Sequence, residues 1–140
     1  GELRASREDL DAALDLAPSH AGALRARAKL SAAAGSYPAA RLDLDLALSL
    51  DPADAEAYLL RADLALLEGD PQRALRDYEN ASRARSEWAE PLLRRGVLLA
   101  RLGRHPEARR DWEQALALLP LAERETRAKV QAWLERLAGD

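Results

Sequence analysis

A period of 34 residues constrains this chain more than any other feature. The stretch Gly103 to Pro120 carries Gly103, Ala108, Asp111, Trp112, Ala115 and Pro120. The same skeleton stands one period upstream as Gly69, Ala74, Asp77, Tyr78 and Ala81, and two periods upstream as Gly35, Ala40, Asp43, Leu44, Ala47 and Pro52. A fourth copy begins the chain as Gly1, Asp9, Leu10, Ala13 and Pro18. Self-similarity at a fixed period of this length marks a stacked repeat, in which each unit buries its apolar face against its neighbours.

The residue types say which unit is stacked. Ala, Leu, Arg and Glu dominate, all good helix formers. Val and Ile are nearly absent, so little favours strands. The chain therefore reads as all-α. Helices are expected over residues 2–16, 20–34, from Tyr37-Pro38 to Leu50, 55–68, from Pro71, from 89 to Gly103, from there to Pro120, and over 122–138. Glycine stops the first helix of each pair, and proline opens or ends the second. Ser19 and Asp54 stand at N-cap positions. Leu3, Leu10, Ala13 and Leu14 share one face of the first helix, and Val130, Trp133, Leu134 and Leu137 form a stripe on a charged last helix, as expected of a terminal cap. The arrangement predicts a half repeat over 1–20, full repeats over 21–54, 55–88 and 89–122, and a capping helix over 123–140, in one domain of eight helices. Without an initiator Met, the chain is expected to be part of a longer protein.

These units resemble the tetratricopeptide repeat (TPR) family. Small residues carry the likeness: Ala28, Ala62 and Gly96 in the first helices, and Ala40, Ala74 and Ala108, then Ala47, Ala81 and Ala115, in the second. The large residues Leu24, Tyr58, Leu92, Leu44, Tyr78 and Trp112 lie beside them. The resemblance implies an α-solenoid, a right-handed superhelix whose first helices line a concave groove that holds a partner protein.

One column departs from the commonest family pattern. It holds Arg27, Arg61 and Arg95 where Leu is often found, and a matching column holds Asp9, Asp43, Asp77 and Asp111. A spacing of eighteen uses all four carboxylates, as Asp9–Arg27, Asp43–Arg61, Asp77–Arg95 and Asp111–Lys129. Ion pairs between repeats, bidentate where Arg is present, are therefore expected to fix the stacking register; the alternative is a row of ligand-binding arginines.

Chemistry-bearing constellations are missing from the sequence. There is no cysteine, which excludes disulfides, thiol catalysis and Cys-ligated zinc and is compatible with any compartment. His20 and His105 stand alone near turns, no serine lies in a nucleophile elbow, and each glycine is isolated. The reading is a non-enzyme with no catalytic, cofactor-binding or metal-ligating residues and no cofactor. The net charge of −3 is spread along the chain, without a basic run for nucleic acid, and no apolar run approaches the ~20 residues of a membrane span. Trp112 and Trp133 are expected in the core; Tyr37, at a turn, is expected at the surface.

Function is then expected on the groove implied by the resemblance. Its wall comprises Arg25, Lys29 and Ala32; Glu56, Leu59, Asp63 and Leu66; and Glu90, Leu93, Arg94, Val97 and Arg101, with Arg127 and Gln131 from the last helix. Leu59, Leu66, Leu93 and Val97 would form an exposed apolar patch rimmed by charge, unless some pack between helices. Some family members clamp the acidic C-terminal tail of heat-shock chaperones. Arg25, Lys29 and Arg94 fall on clamp positions, but Leu60 and Lys29 replace Asn and Glu90 replaces Lys, so the clamp is incomplete. The expected activity is binding of an extended peptide or amphipathic helix. The alternative is self-assembly into homo-oligomers by end-to-end stacking at the edge formed by Leu3 and Leu10.

Overall fold

Three tight glycine turns set the path of the chain. In the computed structural model, which describes residues 2–17 and 20–139, Gly35, Gly69 and Gly103 have φ of 76°, 78° and 73°. This left-handed conformation is strained for residues with a Cβ and free for glycine. It lets the next amide reach back to the preceding helix: Ser36 donates to the Ser31 carbonyl at 2.8 Å, Asp70 to Ala65 at 2.8 Å and Arg104 to Leu99 at 2.9 Å. The same helix-ending bond thus recurs at each glycine turn and satisfies a carbonyl that the helix end would leave open.

Among the described residues there are eight helices: α1 Glu2–Leu16, α2 Ala21–Ala33, α3 Tyr37–Leu50, α4 Ala55–Leu67, α5 Pro71–Ala84, α6 Ala89–Arg101, α7 His105–Leu118 and α8 Arg124–Ala138. They match the expected elements, with ends displaced by one or two residues. Asp54 caps α4 by accepting from the Ala57 amide at 3.0 Å. At α2 the cap is His20, whose Nδ1 accepts from Ala23 at 3.1 Å. Gly1, Pro18 and Ser19, and the Leu3 side chain, lie outside the described residues. The chain divides into two compact units, Gly1–Asp77 and Tyr78–Asp140, with the boundary inside α5.

In the first unit, Ala28, Ala40, Leu44, Leu48, Ala57 and Leu64 form one core cluster, with Tyr37, Tyr58 and Leu60 packed against it. Tyr37 is thus half buried, packed against this cluster, rather than a surface residue. A second cluster holds Leu14, Ala23, Leu24 and Ala47, with Leu10 packed on it. In the second unit Ala81, Ala108 and Ala115 are fully buried, and Leu92, Leu98, Leu99, Trp112 and Val130 complete the interior. Trp112 meets Trp133 of α8 with ring centroids 5.1 Å apart. Gly96 stands against Trp112: a Cβ built there would lie 2.3 Å from the indole Nε1.

The ion pairs form, but with other partners than the spacing predicts. Each arginine binds the aspartate sixteen residues ahead, within its own repeat. Arg27 grips Asp43 with both bonds at 2.8 Å, Arg61 grips Asp77 with both at 2.8 Å, and Arg95 grips Asp111 with both at 2.7 Å. The other edge of the guanidinium reaches sixteen residues back. Arg27 donates to Asp11 at 2.9 Å and Arg61 to Asp45 at 2.8 Å, and Glu79 faces Arg95 electrostatically. Hydrogen-bonded links between repeats therefore exist at Asp11 and Asp45, instead of Asp9 and Asp43; at Arg95 the counterpart is only a longer-range attraction to Glu79, which is itself paired with Arg83. Lys129 pairs locally with Glu125 at 2.7 Å instead of with Asp111. The hydrogen bonds to Asp43 and Asp77 hold the Arg27 and Arg61 guanidiniums above their ordinary pKa, as that to Asp111 does for Arg95, against the opposing effect of burial.

Candidate functional site

Within the first unit, α2 and α4 are the first helices of successive repeats, and α3 lies against both. Residues three, four and seven apart share a helix face. Lys29 and Ala32 on α2, and Leu60, Asp63, Leu64 and Leu67 on α4, therefore face one opening, floored by Ala28 and Leu44. The open cavity so formed measures about 150 Å³. Its lining is almost wholly apolar, with one cation, Lys29, and one carboxylate, Asp63. Leu67 is 60% exposed at its edge, whereas Leu44 and Leu64 are buried beneath. A leucine held wet beside an apolar cavity can bury its surface only against another molecule.

The expected groove residues divide into three groups. Lys29 and Asp63 line the cavity, with Ala32. Leu59 and Leu93 are only 7% and 8% exposed; they pack between helices and add little apolar surface to any groove. Leu66 and Val97 are partly exposed and do not line the cavity.

The expected cations are mostly engaged already. Arg25 is ion-paired to Asp54 and, at 3.2 Å, to Glu56. Asp54 thus serves both as the cap of α4 and as an anchor for α2. Arg94 donates to Glu90 at 2.7 Å. Arg127 donates to the Leu116 and Leu119 carbonyls at 2.7 and 2.8 Å, closing the end of α7, so it is withdrawn from any groove. Of the cations expected in the groove, Lys29 and Arg101 alone are exposed and without an ion pair among the described contacts. Elsewhere, His20 is a helix cap, and Trp88 stacks under Arg85, whose guanidinium lies 4.8 Å from the ring centroid. No group of three or more His, Cys, Asp or Glu able to hold a metal occurs among the described residues. No described helix is long and apolar enough to cross a membrane.

Sequence reasoning does not place Leu67 in the site, and it marks Leu60 only as standing where the clamp has Asn. Their signal was the spacing Leu60–Asp63–Leu64–Leu67, a one-sided apolar face on a helix whose core positions are otherwise filled by alanines and leucines.

Comparison with known proteins agrees with this architecture. Tetratricopeptide repeat models match residues 1–55, 44–87 and 89–122. No curated protein sequence matches the chain. Among solved structures, MamA superposes with a TM-score of 0.77 at 16% identity, over 99% of this chain and 88% of that one. The type III secretion chaperone SycD of Yersinia enterocolitica, in complex with a peptide of the translocator YopD, gives 0.75 at 19% identity, over 82% and 89%. The first TPR of Spaghetti (RPAP3), bound to an HSP90 peptide, gives 0.72 at 20% identity, over 85% and 90%. At these identities the likeness speaks to the fold, a TPR α-solenoid.

Proposed function

Because the chain belongs to the tetratricopeptide repeat family, we propose that it acts as a protein–protein interaction scaffold holding a peptide or helix of a partner against the first helices of its repeats. The single observation that carries the proposal is the open apolar cavity bounded by Lys29, Leu60, Asp63 and Leu67. Its size suits one apolar side chain, and the two rim charges would orient the backbone or a polar neighbour of that side chain. SycD and the RPAP3 domain, which share the fold, are seen with peptides bound.

The charges favour an apolar anchor over an acidic tail. A carboxylate clamp needs cations whose donors are free, and Arg25 and Arg94 already hold carboxylates of this chain. Releasing them would cost the buried Asp54 its partner. Self-assembly through the leading end has less support, because Leu10 is already packed on the cluster of Leu14, Ala23, Leu24 and Ala47.

The test is capture of partners from the native cell extract on immobilised protein, with Leu60→Arg and Leu67→Glu as cavity variants and Leu121→Glu as an exposed control. Partner capture should fall at least tenfold with either cavity variant and persist with the control. Equal capture by all four proteins would refute the cavity as the site. Sedimentation over a range of concentrations separates this reading from self-association.

A further inference from the structure

A second cavity of the first unit, about 190 Å³ and sharing no residue with the first, is lined by Arg61, Arg73, Arg76 and Asp77. Its donors and acceptors do not balance. Asp77 is the only carboxylate in the lining, and each of its oxygens already accepts one of the bidentate bonds from Arg61. The third bond of Arg61 goes to Asp45. Arg73 comes no nearer than 3.7 Å to Glu68 and 3.9 Å to Asp70, beyond hydrogen-bond reach. Glu68 is itself held by two bonds from Arg41, at 2.9 and 3.1 Å. Arg76 is exposed and makes no ion pair among the described contacts. Arg73 and Arg76 stand three apart on α5, hence on one face. The wall therefore presents two guanidiniums with donors to spare: Arg73 holds only long ion pairs to Glu68 and Asp70, and Arg76 holds none among the described contacts.

Equivalent positions elsewhere lack this surplus. Around the pair Arg27–Asp43 they are Ala39 and Leu42; around Arg95–Asp111 they are Glu107 and Arg110, with Glu107 taken by Arg104 at 2.7 and 2.6 Å. The repeated arginine–aspartate pair is framework, and Arg73 and Arg76 are additions made to one copy of it.

We propose that this cavity binds a small dianionic oxyanion of the phosphate class. Arg73 and Arg76 supply paired N–H donors to it, and Arg61, fixed by Asp77 and Asp45, forms the back wall. Planar guanidinium forks suit phosphate oxygens, and a tetrahedral oxyanion can take donors from both arginines at once, which a planar carboxylate does less well.

Inorganic phosphate is the probe, titrated at constant ionic strength while the arginine Nε–Hε resonances are followed by NMR, with acetate as the monoanion control. Saturable shifts of the Arg73 and Arg76 signals are expected with phosphate and weaker ones with acetate. Arg73→Ala and Arg76→Ala should each weaken binding by about tenfold, since charged hydrogen bonds are the strong class. Arg110→Ala, at the equivalent site of the following repeat, should bind as the parent does. Non-saturating shifts, shifts of equal size with acetate, or unchanged affinity in Arg73→Ala and Arg76→Ala would each overturn the proposal.

Discussion

Gly96 offers the sharpest test of the packing, because two effects of opposite sign meet there. An alanine at this mid-helix position of α6 should gain about 1 kcal/mol of intrinsic helix propensity. Its Cβ, however, would lie 2.3, 2.6 and 2.9 Å from Nε1, Cδ1 and Cε2 of Trp112. Carbon contacts are comfortable at about 3.5–4 Å, so the indole or the helix must retreat by roughly 1 Å. The ring has little room: Trp112 is buried, Trp133 lies 5.1 Å away centroid to centroid, and Nε1 donates to the Leu93 carbonyl at 3.4 Å. Overpacking of this kind costs about 1–3 kcal/mol, and the upper end applies where neighbours are rigid. Gly96→Ala should therefore destabilise the second unit by about 1–2 kcal/mol net of the propensity gain. All three tryptophans lie in the second unit, so urea unfolding followed by tryptophan emission reads that unit alone. The decisive comparison is Trp112→Leu, which recreates the Ala28 and Leu44 combination of the first full repeat. In that background Gly96→Ala should become neutral or stabilising, since only the propensity term survives. If Gly96→Ala matches or exceeds the parent in stability, or destabilises equally in both backgrounds, the steric argument fails.

Two further outcomes follow from the polar contacts. Asp54 both caps α4 and receives Arg25; Asp54→Asn should keep the cap and lose the charge pair, whereas Asp54→Ala should lose both, costing about 1 kcal/mol more in chemical denaturation. The hydrogen bond from Arg104 holds the Glu107 carboxyl below its ordinary range. Its contribution is therefore present above the unfolded-state value and lost as the pH falls through the lower folded one, so Glu107→Gln should narrow the stability gap to the parent on acidification, measured as urea midpoints from neutral pH downward.

The repeat made the helix pairs and glycine turns legible, because each position of the period does one local thing. It makes a left-handed turn, allows a close helix approach, or sets a large side chain beside that approach. Partner choice for the arginine column was less legible. Counting matched carboxylates favoured Asp9 and Asp43, but a guanidinium has two usable edges, and the acceptors of the second edge stand two residues further on, at Asp11 and Asp45. Burial depth was also hidden. Leu59 and Leu60 are adjacent and chemically identical, yet one packs inside and the other lines the cavity; the rotation of α4 against α2 and α3 decides which. The engagement of Arg25, Arg94 and Arg127 depends on contacts to Asp54, Glu90 and the carbonyls of α7, and two of these three lie at separations that helical periodicity alone does not specify.

The two-edged arginines also make the period a transferable cassette. Arg27, Arg61 and Arg95 each reach sixteen residues forward to an aspartate, and sixteen residues back from each stands a carboxylate, bonded at Asp11 and Asp45 and at longer range at Glu79. Excising residues 55–88 would bring Asp45 to the position that Glu79 holds toward Arg95, exchanging one carboxylate for another. The copies differ in what a single cassette adds to the common frame: Leu60 and Leu67 at one cavity of the first unit, Arg73 and Arg76 at the other.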